Sequence, residues 1–372
     1  MSHELSLTEL NLNDDKFDEY DNYEFVADNN ISDEDVLKIF KKYPKLEIIN
    51  KFEGKMLTGE NKSNCNINII KKELELLKTV PDGIITIASE SNINLYKTLI
   101  LGPKFTPYYN SLFIFDCTLS SDYPNSPPKF LRHAYNVRAN PNLYACGKVC
   151  LSLLGTWPGE HESEKWQPSN SSIYQIILSV QSLILGENEP IKNEPGMSGY
   201  NFNTKKTSKK DIEIFNTNVL NSRLYNETTL ILVLSTMDSQ LQSPVPEFKK
   251  IIIEFCRYLY KRWELFLSIA ENAYKFFYKT LEMKQEEINK MIQIFSWYGI
   301  FIKPNDIIMY LEAKKNNIEN IKNNYVNTAS NSYQYMKIVP KFGYIPTKEF
   351  LSLLKVQLRR ILNNIDRICM NE

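Results

Sequence analysis

A cysteine that follows a predicted turn is the residue of this chain best suited to covalent chemistry. Asn140-Pro141-Asn142 is typical of a turn, and Cys150 lies eight residues after Asn142 within an apolar run. A cysteine thiolate is a strong nucleophile and can carry an acyl group as a thioester. We therefore predict that Cys150 is a thioester-forming nucleophile.

Other kinds of thiol chemistry fit this segment less well. Cys146 and Cys150 are four residues apart, but no second pair of Cys or His ligands stands nearby, so no metal site is expected. A thiol hydrolase needs a base beside the cysteine, whereas His133 is distant in the sequence and His161 lies in a polar loop. Cys146 is interpreted as a plain loop cysteine, with a redox-sensitive partner thiol as the alternative.

Composition indicates a soluble protein of a reducing compartment, either cytoplasmic or nuclear. The 372 residues allow two or three domains, and 43% of them are hydrophobic. A formal net charge of +0 does not favour nucleic-acid binding, and no apolar stretch is long enough to predict a membrane span. Six irregularly spaced cysteines do not form a secreted disulfide framework, and no signal peptide or cofactor motif is evident.

The residues around the cysteine predict an α+β domain over 66–240. A helix is expected from Asn66 to Lys78, and a second helix begins at Ile173. Prolines in Tyr123–Pro128 end the sheet between its third and fourth strands, because proline cannot sit in a central strand. The expected strands are Ile84–Ala88, Leu95–Leu101, Leu112–Leu119 and Lys129–His133.

The two ends of the chain differ from this domain. Residues 1–65 are acidic, and we predict a largely disordered segment with a short helix beginning at Ser32-Asp33-Glu34-Asp35. This acidic segment is either a solvating leader or a docking tail for a basic partner. Residues 247–372 predict a helical extension that follows Ser243–Pro246. Helical patterns are found at Asp211–Leu234, Glu247–Met291, Ile307–Asn323 and Phe350–Ile368.

Taken together, the motifs resemble the ubiquitin-conjugating enzymes over about residues 66–235. That family has a helix, a four-stranded meander, a Tyr-Pro-x-x-Pro-Pro break, a turn that is usually His-Pro-Asn, and a cysteine eight residues after the Asn. The corresponding segments are Tyr123–Pro128, Asn140-Pro141-Asn142 and Cys150. A downstream Trp-x-Pro-Ser matches Trp166–Ser169 and precedes the crossover helix. The resemblance implies a four-stranded antiparallel core with added C-terminal helices.

Within that family the chain resembles the large, divergent members. Gly147–Trp157 is similar to their active-site segment, and residues 157–165 fit the loop that they insert before the motif Trp. One such relative handles both ubiquitin and a two-domain ubiquitin-like modifier, and another is the giant inhibitor-of-apoptosis-linked enzyme. The Asn in place of the usual His of the turn is expected in this subgroup.

The resemblance implies a role for four residues in catalysis. Cys150 would accept the modifier, and Asn142 would support the active-site loop or the developing oxyanion. Tyr144 would wall the incoming lysine, and Glu194, just before Pro195, would orient or deprotonate that lysine. The structural alternatives are a turn residue for Asn142, a packing ring for Tyr144 and a solvated acid for Glu194.

The resemblance also implies partner surfaces. Lys71 and Lys72 match the basic helix face that is offered to the ubiquitin-activating enzyme, with a solvated helix face as the alternative. Ligases of the RING type usually hold an aromatic residue where this chain has Asn125, so pairing with such a ligase is in doubt. The second ligase-facing segment keeps the residues expected of it, which are Gln167, Pro168 and Ser169.

The sequence therefore predicts a ubiquitin-conjugating enzyme. It would take ubiquitin or a ubiquitin-like modifier from the activating enzyme onto Cys150 and pass it to a substrate lysine or to a ligase. The alternative is a catalytically inactive binding module on the same fold, but such variants typically lack the cysteine.

Overall fold

A computed structural model describes most of the chain. It covers residues 33–52, 66–159, 161–194, 209–279, 283–302, 307, 310, 311 and 345–370, with only the backbone of 209–220. The acidic segment before residue 33 lies outside the described residues. So does most of the helix predicted at Ile307–Asn323.

The described elements are the strands of one sheet and a set of helices, most of which follow the sheet along the chain. The helices are α1 (Asp33–Lys41), α2 (Ile67–Leu77), α3 (Ile173–Ser179), α4 (Lys209–Gln242), α5 (Lys249–Tyr278), α6 (Gln285–Trp297) and α7 (Lys348–Met370). The strands are β1 (Leu46–Ile49), β2 (Ile84–Ser89), β3 (Leu95–Leu101), β4 (Leu112–Thr118) and β5 (Lys129–Arg132). Helix α3 continues as a wider helical turn over Val180–Ile184. The helical pattern predicted at Glu247–Met291 is divided between α5 and α6.

The sheet confirms the predicted meander and adds one strand to it. Its order is β1-β2-β3-β4-β5, and β2 to β5 are successively antiparallel. Strand β1 pairs with β2 in parallel and was missed, so the prediction of four strands is corrected to five. It has only four residues and lies at the sheet edge, where Glu47 and Ile48 are exposed. The fold class is α+β, as predicted.

Helices cover both faces of the sheet. One face packs against α1 and α4 to α7, and the other packs against α2 and α3. The first face contributes Ile85, Ile87, Leu99, Leu112 and Ile114. The second contributes Ile84, Ala88, Tyr96, Phe113 and Phe115. Successive strand residues point to opposite faces, so two covering layers account for strands that are buried at nearly every position.

The C-terminal helices share a hydrophobic core with the sheet. Val245 and Phe248, in the connection between α4 and α5, are buried in the same cluster as the first sheet face. Helix α7 contributes apolar side chains such as Leu351 and Leu358 to it. The division of the chain at residues 240 and 247 stays a prediction. Among the described helices, none is both long and apolar enough to cross a membrane.

A buried carboxylate on α2 contacts both the loop before β5 and the first residue of α3. Glu73 accepts a hydrogen bond from the Tyr123 hydroxyl at 2.5 Å and from the Ile173 backbone N–H at 3.0 Å. The second contact satisfies one of the free N–H groups at the start of α3. Burial raises the pKa of the Glu73 carboxyl above its ordinary value of 4.5, and the hydrogen bonds oppose this only in part.

The raised pKa of Glu73 predicts a measurable pH dependence of stability. Above pH 4.5 the native state binds more protons at Glu73 than the unfolded chain does. The free energy of unfolding therefore falls as pH rises from 4.5 towards the raised pKa of Glu73. We expect Glu73→Gln, which cannot ionise, to gain stability relative to wild type as pH rises above 4.5. Denaturant unfolding at several pH values measures this difference.

The control for this prediction lies two residues further along the same helix. The Glu75 side chain is 70% exposed and pairs with Lys78, so Glu75→Gln changes only a weak surface contact. If the difference between Glu73→Gln and wild type does not vary with pH, the assignment of this pH dependence to Glu73 is wrong.

Candidate active site around Cys150

A short hairpin presents Cys150 at the β5 edge of the sheet. Leu143 and Val149 face each other across it, and the Cys150 backbone N–H donates to the Asn142 carbonyl at 2.9 Å. The turn needs Gly147, whose φ is 89° and where a Cβ atom would lie 2.5 Å from the Arg132 carbonyl oxygen. The Gly147 carbonyl also accepts from the Arg132 N–H of β5 at 2.8 Å, which fixes the hairpin to the sheet.

Alternation along the hairpin gathers the polar side chains on one face. Leu143 is 0% exposed and Val149 1% exposed, so both point into the core. Because side chains alternate along extended strands, those of the neighbouring positions share the opposite face. These positions are Asn142, Tyr144, Lys148 and Cys150. The structure thus brings together three of the four predicted catalytic residues.

Tyr144 is a direct neighbour of the Cys150 thiol. Negative charge on Cys150, followed by hydrogen bonding to it, raises the pKa of the Tyr144 hydroxyl above its ordinary value. Cys150 itself is only 3% exposed. A phenol hydroxyl in this position can donate to the sulfur and stays protonated while it does so.

The chain that follows Cys150 is held by a threonine. The Thr156 hydroxyl donates to the Val149 carbonyl at 2.7 Å and accepts from the Leu151 N–H at 3.0 Å. These two contacts are on either side of Cys150. The inserted loop that begins at Trp157 therefore leaves from a fixed point close to the thiol.

Asn140, in the position of the usual His, joins the turn to two other elements. Its side-chain amide donates to the Tyr108 hydroxyl at 2.6 Å and to the Ile184 carbonyl at 3.2 Å. Its Oδ1 accepts from the Asn142 N–H at 2.8 Å. Asn140 is 1% exposed. Its side chain thus sets the start of the hairpin relative to the helical turn that follows α3.

Glu194 reaches the hairpin through an arginine that the sequence did not single out. Arg138 Nη2 lies 3.2 Å from Glu194 Oε2 and donates to the Pro141 carbonyl at 3.1 Å. Its guanidinium also lies 5.1 Å from the centre of the Tyr144 ring, a cation–π contact. The other Glu194 oxygen accepts from the Tyr225 hydroxyl of α4 at 3.0 Å. Glu194 is therefore tied into a group of side chains and is not a solvated acid.

Asn142 contributes its backbone to the site and leaves one side-chain atom unpaired. Its carbonyl accepts from Cys150, as described above, and its N–H donates to Asn140. Its Oδ1 is buried and has no hydrogen-bond partner among the described residues. A buried polar atom without a partner is uncommon in folded proteins and marks a group that a bound molecule can complete.

The other described histidines and cysteines give no evidence of a base or a metal site at Cys150. His133 Nε2 lies 2.8 Å from Asp116, and His161 is exposed. Cys146 is an exposed free thiol. Within the described ranges, no group of three or more His, Cys, Asp or Glu side chains is arranged to hold a metal ion.

The predicted partner-facing residues lie on other elements. Lys71 and Lys72 are exposed on α2, and Asn125 is exposed in the loop before β5. Gln167 is half-buried, whereas Pro168 and Ser169 are exposed in the loop before α3. That loop is anchored by Trp166, whose ring N–H donates to the Pro124 carbonyl at 2.6 Å. Their roles stay predictions.

Arg138 and Tyr225 are the site residues that sequence reasoning missed. No spacing or periodicity connects them, because they come from a loop before the hairpin and from a helix about 30 residues after Glu194. The only local signal was the placement of Arg138 two residues before Asn140. That signal does not predict a carboxylate partner.

Comparison with known proteins connects this geometry to one family. The ubiquitin-conjugating enzyme family matches residues 69–223. "Probable ubiquitin-conjugating enzyme E2 26" of Arabidopsis thaliana is 34% identical over 59% of this chain and 38% of its own length. "Dual E2 ubiquitin-conjugating enzyme/E3 ubiquitin-protein ligase BIRC6" of Mus musculus is 40% identical over 49% of this chain and 4% of its own length. This chain thus matches well under half the length of either relative.

A solved structure is also similar in sequence. A ubiquitin conjugating enzyme E2 of Plasmodium falciparum is 28% identical, with 33% of this chain and 99% of that chain covered and a TM-score of 0.28. The matched family segment contains Cys150, its hairpin and Glu194. Residues 69–223 of this chain belong to the ubiquitin-conjugating enzyme family.

Proposed function

We propose that the chain accepts ubiquitin or a ubiquitin-like modifier on Cys150 and transfers it to an amine. The observation that carries this proposal is the hairpin that places Asn142, Tyr144 and Cys150 on one face, within a segment of the ubiquitin-conjugating enzyme family. The names of the relatives, which are ubiquitin-conjugating enzymes, support the same activity.

The reaction consists of two acyl transfers. In the first, the Cys150 thiolate attacks the carbonyl carbon of a thioester between the modifier and the activating enzyme, and the thiolate of that enzyme leaves. In the second, the uncharged amine of a substrate lysine attacks the same carbonyl carbon. A C–N bond forms, the C–S bond breaks, and the amine releases a proton to solvent. Neither step needs a histidine base, because the thioester is already activated.

The neighbours of Cys150 assist these steps by position. Tyr144 lies beside the sulfur and can donate a hydrogen bond to it, which would stabilise the thiolate that attacks first and leaves second. The side-chain N–H groups of Asn142, and not its unpaired Oδ1, are suited to support the carbonyl oxygen that becomes an oxyanion; a donor of this kind contributes roughly 3 kcal/mol. Both Glu194 oxygens already accept hydrogen bonds, so this carboxylate is better suited to orient the lysine than to deprotonate it.

The partners of such an enzyme would use exposed surfaces. Lys71 and Lys72 are available to an activating enzyme, and Pro168 and Ser169 to a ligase. Asn125 is exposed but offers no aromatic ring, so contact with a ligase there would be weak. The C-terminal helices would then select substrates directly.

A charging assay tests the proposal. The chain is incubated with activating enzyme, ATP and ubiquitin or a ubiquitin-like modifier, and the products are separated without reducing agent. We expect an adduct that thiols cleave on the wild type, none on Cys150→Ala, and a thiol-resistant ester on Cys150→Ser. Cys146→Ser is the matched control, because Cys146 is an exposed thiol in the same hairpin, and it should charge normally.

The same assay separates the enzyme from an inactive binding module. A module would bind the modifier without forming an adduct that depends on Cys150. Absence of a thiol-sensitive adduct on the wild type, with ubiquitin and several ubiquitin-like modifiers, would contradict the proposed activity.

A further inference from the structure

One face of helix α4 holds the loop that carries Glu194. Ser222, Tyr225 and Asn226 are spaced i, i+3 and i+4, so they share one side of the helix. The Ser222 hydroxyl donates to Glu189 at 2.9 Å, the Tyr225 hydroxyl to Glu194 at 3.0 Å, and the Asn226 amide to the Asn188 carbonyl at 2.7 Å. Three successive contacts therefore fix the loop against α4.

The contact of Tyr225 continues to the thiol. Glu194 accepts from Tyr225 on one oxygen and pairs with Arg138 on the other. Arg138 contacts the Tyr144 ring at 5.1 Å, and Tyr144 is a neighbour of Cys150 on the same face of the hairpin. The first three links are contacts within hydrogen-bond or cation–π distance, and the last joins two side chains that share one face of the hairpin.

The ion pair between Glu194 and Arg138 depends on the orientation of the Glu194 carboxylate. A carboxylate that rotates away from Arg138 would leave the guanidinium, which is 42% exposed, with only the Pro141 carbonyl and the Tyr144 ring as contacts among the described residues. Tyr225 prevents this rotation because its hydroxyl holds the second oxygen. Burial and the neighbouring Glu194 raise the pKa of Tyr225, so its hydroxyl remains a donor.

We propose that Tyr225 is a positioning residue for the transfer step. Its hydroxyl orients Glu194, and Glu194 in turn holds Arg138 against Tyr144 beside the thioester sulfur. Tyr225 lies two residues beyond the segment that matches the family. Helix α4 is thus part of the active site and not only a support for the C-terminal helices. This inference rests on the proposed transfer function.

Tyr225→Phe tests the proposal because it removes only the hydroxyl. In single-turnover discharge of the charged protein onto free lysine, we expect a rate about tenfold below wild type, since small displacements of reacting groups are costly. Charging by the activating enzyme and the thermal midpoint should change little. The matched control is Tyr260→Phe, which removes an equivalent hydroxyl that donates to Asp366 at 3.2 Å between α5 and α7.

A double-variant comparison separates positioning from a general structural role. In a Glu194→Gln background, Tyr225→Phe should cost little further activity, because both changes break the same line of contacts. Alkylation of Cys150 by iodoacetamide, followed by peptide mass spectrometry, gives a second readout that needs no partner. It should be faster in Tyr225→Phe than in wild type or Tyr260→Phe, because access limits the alkylation of a thiol that is only 3% exposed and a displaced Tyr144 increases that access.

The outcomes distinguish this inference from the function on which it rests. The inference is wrong if Tyr225→Phe discharges onto lysine and is alkylated at the same rates as wild type. It is also wrong if Tyr225→Phe lowers the discharge rate of the Glu194→Gln variant by its full factor. Equal losses of charging and discharge indicate a structural defect and also overturn it. If the wild type forms no thioester but alkylation is faster in Tyr225→Phe, the transfer function is wrong and the line of contacts to Cys150 stands.

Discussion

Replacing Asn140 with alanine is expected to slow transfer from Cys150 about 100-fold and to lower the free energy of unfolding by about 3 kcal/mol. Asn140 is buried and makes three hydrogen bonds, to Tyr108, to the Ile184 carbonyl and from the Asn142 N–H. Alanine leaves the last two groups without partners inside the protein. Each buried group that loses its partner costs about 1–3 kcal/mol.

The effect of Asn140→Ala on transfer follows from the position of Asn142. Its N–H is released by the substitution, and its carbonyl is the acceptor for Cys150. A shift of Asn142 therefore moves both its own side chain and the backbone of the nucleophile. Single-turnover discharge onto free lysine measures the loss, and denaturant unfolding measures the stability.

Gln240→Ala is the control for Asn140→Ala. Gln240 is also buried, and its amide donates to the Leu112 carbonyl at 2.9 Å near the end of α4. It should lose stability without a comparable loss of discharge. If both variants reduce discharge in proportion to their loss of stability, Asn140 has no specific role in the placement of the hairpin.

Replacing Lys97 with methionine is expected to lower the free energy of unfolding by about 3–5 kcal/mol. Lys97 is 1% exposed, and its Nζ lies 3.1 Å from Asp116 and 3.7 Å from Glu247. Methionine has a similar length but no charge, so two buried carboxylates lose their cation. Asp116 keeps its contact with His133, whereas the two side-chain oxygens of Glu247 accept no hydrogen bond from the described residues.

The loss at Lys97 should depend on Glu247. We expect Lys97→Met combined with Glu247→Gln to be less destabilised than the sum of the single variants, because the unpaired charge is removed. Lys41→Met is the surface control: Lys41 is 61% exposed and pairs with Asp82, so it should change stability by no more than about 1 kcal/mol. Additive losses at Lys97 and Glu247 would contradict their coupling.

The pair Lys97–Glu247 bears on the organisation of the chain. Lys97 belongs to β3, and Glu247 follows the Ser243–Pro246 segment that was predicted to separate the two units. A buried ion pair across this connection joins the C-terminal helices to the sheet. Stability measured on the full chain should therefore respond to changes on either side of it.

The sequence by itself determined the elements whose signals are local. Asn140-Pro141-Asn142 and Cys150 lie within a few residues of one another, so turn chemistry and spacing predict the turn and the nucleophile, whereas the hairpin that joins them appeared only in the structure. Local signals also predict α2, where Asn66 caps the helix through a hydrogen bond to the Asn68 N–H at 2.9 Å. The meander of β2 to β5 follows from apolar runs separated by turn residues.

Only the tertiary structure decided the contacts between distant segments. Strand β1 was missed because its parallel partner, β2, is about 40 residues away and its own four residues carry no alternation. Apolar runs such as Ile84–Ser89 are typical of strands covered on both faces, but they do not identify the helices that cover them.

The same distinction applies within the active site. Cys150, Asn142 and Tyr144 could be predicted because they lie close together in one sequence motif that resembles a known family. Arg138 and Tyr225 meet at Glu194 only because α4 packs beside the loop of residues 188–194. Packing between elements depends on the summed fit of many side chains and has no short sequence signal. For this reason the nucleophile could be predicted from the sequence, and the residues that hold Glu194 could not.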